Sequence, residues 1–154
     1  MDWHGVHMSK GNHLIESPLW ADSRLDLCGF TLRGYSGSDM TSCGTQEHGA
    51  QVHVVDGSQV PKLGDGLWTC SPGLAVAVRV ADCVPILLWD PQAFAVAAVH
   101  SGWRGTALNI AGQAIREGAT LGVQPQRLRA AIGPCIGPCC FEVGDEVVKS
   151  LQEC

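Results

Sequence analysis

Three apolar runs in the middle of the chain, Leu74–Val80 (LAVAVRV), Pro85–Trp89 (PILLW) and Phe94–His100 (FAVAAVH), are short and bounded by turn-forming residues. Runs of that length between Gly, Pro and Asp predict buried strands. Upstream, Leu25–Leu32 reads as a strand closing in the turn-prone RGYSGSD, and Val52 with Val54 and Val55 reads as a short strand ended by Asp56-Gly57. Ser58–Gly73, broken by Pro61, Gly64, Gly66 and Pro72, reads as loop. From Thr106 the period changes. Ala107, Ile110, Ala111, Ala114 and Ile115 share one helical face, with Gly118 or Gly122 as the stop. Leu128–Ile132 predicts another buried strand, GPCIGPCC a turn-rich loop, and Asp145–Leu151 a last helix. The pattern predicts an α/β (mixed α+β) fold: an irregular segment over 1–25, then one layered domain over 26–154 with a mixed sheet flanked by helices.

Composition narrows the function classes. A chain of 154 residues suits one domain and can bury a core without disulfides. Charged residues make up 16%, below the roughly 25% of an ordinary soluble protein, which points to a well-buried interior or an apolar interface. The net charge is −5 and no Lys/Arg run stands out, which argues against nucleic-acid partners held through phosphate neutralisation. Leu74–Val80, interrupted at Arg79, falls far short of a membrane span. The opening Met1–His7 has no basic segment followed by an apolar one, so the expected location is the cytoplasm. In that compartment the eight cysteines read as reduced thiols or metal ligands.

Metal-capable side chains cluster beside three turns: Gln46-Glu47-His48-Gly49, Ala81-Asp82-Cys83 and His100-Ser101-Gly102-Trp103-Arg104-Gly105. A thiolate and two imidazoles fill three corners of a zinc tetrahedron and leave the fourth for water or substrate. Taken singly, Cys83 reads equally as a core thiol and His100 as a satisfied strand-end histidine, and His53 competes with His48 for the ligand role. The turn after His100 leads into a helix N-terminus, where Gly102 backbone and Arg104 suit a phosphate or carboxylate; the plain alternative leaves Arg104 in water. Cys135, Cys139 and Cys140 form CxxxCC, which is not a zinc spacing, and read as buried or turn thiols.

Taken in order, these segments resemble the YfiH-like laccase-domain family, also called multicopper polyphenol oxidase-like or purine nucleoside phosphorylase-like. The resemblance runs through Gln46-x-His48-Gly49, Thr69-x-x-Pro72-Gly73, Ala81-Asp82-Cys83, His100-x-Gly102-Trp103-Arg104-Gly105 and Ile132-Gly133-Pro134 to Phe141-Glu142-Val143, covering about Phe30 to Lys149. It implies a fold akin to cytotoxic necrotizing factor. It also implies zinc at His48, Cys83 and His100, with Cys83 and His100 catalytic, and a site arginine at Arg33 beside Arg104 and Gly102 for substrate or phosphate. Only Gly34 to Thr45 separate that arginine from QxHG, where the family carries a longer stretch, and family members run on well beyond Phe141-Glu142-Val143. The chain therefore reads as truncated at its C-terminus.

The resemblance implies phosphorolysis of adenosine, inosine, guanosine and methylthioadenosine, with deamination of adenosine as a further activity. Nucleoside and phosphate are the expected partners. A four-copper laccase needs a histidine-rich cluster, and this chain has six histidines and no HxH. Copper in a Cys/His site remains the alternative metal, since it binds such ligands more tightly than zinc. Alternative readings are a Cys83–His100 hydrolase or amidase acting on peptidoglycan precursors, a polyphenol oxidase, and a non-catalytic metal-binding fragment.

Overall fold

The computed structural model describes residues 43–154, together with the short strands β1 (His7–Met8), β2 (Leu14–Glu16), β3 (Phe30–Thr31) and β4 (Met40–Thr41). The chain forms two compact units, Met1–Ser38 and Asp39–Cys154. In the first, β1, β2 and β3 make an antiparallel sheet in that order. Two of these strands lie inside the stretch whose pattern predicts irregular structure. Of the predicted strand Leu25–Leu32, only Phe30–Thr31 is among the described residues. Arg33, Cys28, His4 and His13 lie outside them.

The second unit is built on a five-stranded mixed sheet. Its strands are β5 (Val52–Val54), β6 (Gly66–Thr69), β8 (Val84–Asp90), β9 (Ala95–Ser101) and β10 (Arg129–Ile132), in the order β10-β8-β9-β6-β5. All neighbours are antiparallel except β5 and β6. A two-residue strand β7 (Ala75–Val76) pairs with β4 in a small separate sheet. Three helices follow β9: α1 (Trp103–Ala107), α2 (Ile110–Ala119) and α3 (Asp145–Gln152).

Two expectations are corrected here. The predicted loop Ser58–Gly73 contains β6, whose four residues are all buried and fill the place between β5 and β9. The predicted core strand Leu74–Val80 is a strand only at Ala75–Val76, and its end, Arg79 and Val80, is exposed. Gly-Asp-Gly punctuation masks a strand whose buried area comes from one Leu and one Trp. The apolar run beyond it pairs only with the two residues of β4 and joins no strand of the main sheet.

The predicted helix divides. Asn109 adopts a left-handed backbone (φ 55°), and its side chain accepts from Gly112 N–H at 3.0 Å, capping α2. Gly122 ends α2: at φ 80° it lets Val123 N–H reach the Gly118 carbonyl and its own N–H reach Ala119, a Schellman closure. Gly118 has a different task. Alternation along β9 and β6 turns Ala95, Ala97, Val99 and Trp68 toward α2, where Ile110 and Ala114 complete one core. Trp68 is fully buried and donates its Nε1–H to the Ala114 carbonyl at 2.7 Å. A Cβ at Gly118 would sit 2.9 Å from the Trp68 ring.

The β8–β9 hairpin is locked from outside the sheet. Buried Asp90 accepts from Gln92 and Ala93 N–H in the turn, from Gln124 N–H, and from the Arg127 guanidinium at 3.0 Å. Burial alone pushes the Asp90 carboxyl up. The Arg127 guanidinium and the three N–H groups outweigh it and hold it well below the usual carboxylate range. No helix among the described residues is long and apolar enough to cross a membrane.

Two stability measurements test these contacts. Gly118→Ala gains about 1 kcal/mol of helix propensity but overpacks Trp68 by about 1–3 kcal/mol, so urea denaturation is expected to show a net loss. For Asp90, the folded carboxyl binds its proton less readily than the unfolded one, at about 3.9. Its stabilisation is complete above that value and is lost as pH falls toward the depressed folded value. Asp90→Asn is expected to cost about 3 kcal/mol at neutral pH and to flatten the fall in melting temperature below about pH 4.

Candidate metal centre

Strand register assembles the site. In the β8–β9 pair, Pro85 faces His100 and Val84 faces Ser101, so continuing past the strand ends brings Cys83 alongside Gly102. In the β6–β9 pair, Gly66 faces Val99, and one step further Asp65 meets His100. His100 N–H donates to the Asp65 carbonyl at 2.6 Å, and His100 Nδ1 lies 2.7 Å from Asp65 Oδ1. Both residues are buried.

His48 comes from the turn before β5. Its backbone is left-handed (φ 60°), a conformation that non-glycine residues adopt when surrounding bonds impose it. Those bonds run to the same carboxylate. Asp65 Oδ1 accepts from His48 N–H at 2.9 Å, and Oδ2 accepts from Gly49 N–H at 2.9 Å and Glu47 N–H at 3.2 Å. Gln46 anchors the other side of the turn: its amide donates to the Arg79 carbonyl and accepts from Arg79 N–H, both at 2.8 Å.

The result brings His48, Cys83 and His100 together with their ligand atoms all within 4.8 Å of one another. His48 is exposed, Cys83 half-buried and His100 buried, and the two imidazoles meet edge to face at 4.7 Å. A tetrahedral ion with N and S bonds spaces its ligand atoms by roughly 3.5 Å, so small side-chain shifts close this cluster on a metal. Burial, then the charges of Asp82 and Asp65, push the Cys83 thiol up. Its thiolate therefore calls for a cation beside it.

The motif glycines are there for contact. A Cβ on Gly102 would lie 2.9 Å from the His48 ring and 3.3 Å from Cys83 Sγ, and one on Gly105 would lie 2.6 Å from the Gly49 carbonyl. Gly102 caps α1, which begins at Trp103 rather than Thr106. Arg104 is exposed, with its guanidinium 4.3 Å above the Trp103 ring. His53 stands apart from the cluster, its Nε2 2.8 Å from the Leu63 carbonyl. Cys135, Cys139 and Cys140 are exposed thiols, the last two with sulfurs 3.2 Å apart. Asp65 is the site residue that sequence reasoning missed; its only sequence signal is an Asp-Gly before a short apolar run.

The sequence profile described as multi-copper polyphenol oxidoreductase laccase matches residues 31–154, and the chain belongs to that family. A protein named purine nucleoside phosphorylase from Deinococcus radiodurans is 39% identical over 122 residues, covering 77% of this chain and 46% of the relative. Adenosine deaminase RL5, from an unknown prokaryotic organism, is 47% identical over 89 residues, covering 58% of this chain and 34% of its own. Among solved structures, the hypothetical protein YfiH of Bacillus licheniformis superposes with a TM-score of 0.69 at 37% identity, over 74% of this chain and 46% of that one. The chain thus spans less than half the length of these relatives.

Because Gly102 abuts His48 and Cys83, Gly102→Ala is expected to weaken metal uptake by about tenfold or more, as disturbing the shell around a metal does. Competition with a chromophoric chelator measures this, and the metal-free melting temperature is expected to change little.

Proposed function

We propose that the chain carries the zinc centre of a purine nucleoside phosphorylase acting on adenosine, inosine, guanosine or methylthioadenosine, with adenosine deamination as a further activity. The observation that carries this is the convergence of two imidazoles and one thiol within 4.8 Å in a chain 39% identical to a protein of that name. His48, Cys83 and His100 hold the ion. When bound, it supplies Lewis-acid polarisation and lowers the pKa of a coordinated water. Among the described residues, exposed Arg104 is the cation for phosphate, offsetting its charge as it attacks the ribose C1′ and the purine leaves. Buried His100 and Asp65 keep water from the inner side of the centre. Nucleoside and phosphate are the partners, and the chain acts in the cytoplasm.

A second reading has one observation in its favour: Cys83, His100 and Asp65 lie in the order of a thiol-imidazole-carboxylate triad. The raised Cys83 thiol weighs against it, because such a nucleophile needs a depressed one.

Elemental analysis of protein purified without added metal is expected to find one zinc per chain, absent from His48→Ala and His100→Ala. Zinc-loaded protein given inosine and phosphate is expected to release hypoxanthine. Unchanged inosine and adenosine would sink the enzyme reading for this chain, several coppers per chain would restore the oxidase reading, and a Cys83→Ser protein that keeps zinc but loses turnover would favour the hydrolase.

A further inference from the structure

No motif of the sequence assigns a task to Asp65, yet it touches both histidines of the cluster. We infer that Asp65 is the positioning residue of the metal centre: it holds His100 by its Nδ1–H, leaving Nε2 for the cluster, and it fixes the turn that presents His48. The inference deepens the proposed zinc reading and rests on it only in naming what Nε2 binds.

Hydrogen-bond accounting carries the argument. Four N–H donors converge on the two carboxylate oxygens: His48 and His100 Nδ1 on Oδ1, Glu47 and Gly49 on Oδ2. A carboxylate accepts at both oxygens and donates at neither. With Oδ1 as acceptor, His100 Nδ1 must be the donor, and a neutral imidazole then has its lone pair on Nε2. The 1% exposure of Asp65 leaves no water to substitute for it.

An amide at position 65 cannot do the same work. If its oxygen stays toward His100, its NH2 opposes Glu47 and Gly49 N–H and the His48 turn loses its anchor. If it flips, the NH2 donates to Nδ1, the ring proton moves to Nε2, and His100 loses its ligand lone pair. Each arrangement costs one ligand of the cluster. A carboxylate on a metal-binding histidine sets both its tautomer and its aim.

The test combines two measurements on the whole chain. Nitrogen-15 NMR of the metal-free wild type, followed up in pH until the His100 ring is neutral, is expected to show its proton on Nδ1 and Nε2 bare. Zinc competition is expected to show Asp65→Asn binding about 10–100-fold more weakly than wild type. Asp90→Asn, a buried carboxylate lost away from the cluster, is expected to lower the melting temperature and leave zinc affinity unchanged. A wild-type His100 with its proton on Nε2, or an Asp65→Asn protein that binds zinc as wild type does, overturns the inference. If Asp65→Asn does not fold, the wild-type tautomer decides. If wild type takes up no zinc while His100 carries its proton on Nδ1, the zinc reading fails and the positioning role stands.

Discussion

One buried carboxylate sets the geometry of this molecule's chemistry. Asp65 stands at the start of β6, where antiparallel register with β9 sets its backbone against His100, and its two oxygens gather the 47–49 turn. Remove that carboxylate and the buried His100 ring nitrogen and three part-buried backbone N–H groups lose their acceptor. A buried orphaned donor costs about 1–3 kcal/mol, a penalty that falls on His100, while the exposed 47–48 turn loses the bonds that impose the left-handed His48 backbone. The fold thus uses a single side chain to join a strand end and a loop, two elements that secondary structure alone would leave uncoupled.

The glycines complement the carboxylate from the opposite side. Asp65 draws the His48 turn inward, and Gly102 and Gly105 allow the α1 turn to approach it until a methyl group would collide with His48, Cys83 or the Gly49 carbonyl. The first effect is electrostatic and directional, the second steric. Together they fix the spacing of three ligands drawn from three segments, with Cys83 delivered by the β8–β9 register. Closeness between turns explains the two glycines of Gly-Trp-Arg-Gly, while Arg104 lies over Trp103 and faces solvent.

Much of this was legible in the sequence, for unequal reasons. β8, β9 and α3 announce themselves because each buries a continuous or periodic apolar face; β10 forms where its apolar run predicts a strand, but as an edge strand with only Ala131 buried, not the buried strand expected. β6 does not announce itself: four residues between Gly and Cys carry too little pattern, although Trp68 and Leu67 are wholly buried. The Leu74–Val80 run misleads in the other direction, since its only partner is the two-residue β4 and the strand ends with that ladder. The split between α1 and α2 turns on one left-handed Asn109, which periodicity does not register. His48, Cys83 and His100 were readable because they sit beside turns in recognisable motifs. Asp65 was not, because backbone amides make up most of its partners and amides leave no trace in a sequence.

Charge balance gives the last constraint on the centre. On the proposed reading, a divalent ion held by the Cys83 thiolate, with the Asp65 carboxylate behind His100, would have its two positive charges matched by two negative ones. Asp82, next to Cys83 in the chain, adds a further negative charge nearby. A centre so neutralised has little net attraction for a phosphate dianion and retains its local polarising power toward a ligand oxygen at the open position. On the proposed reading, phosphate must therefore be captured by guanidinium groups, and the ion is left to act on whichever oxygen reaches it. That division of labour also accounts for the polarity of the ligand set. A third histidine in place of Cys83 would leave such a centre one charge more positive.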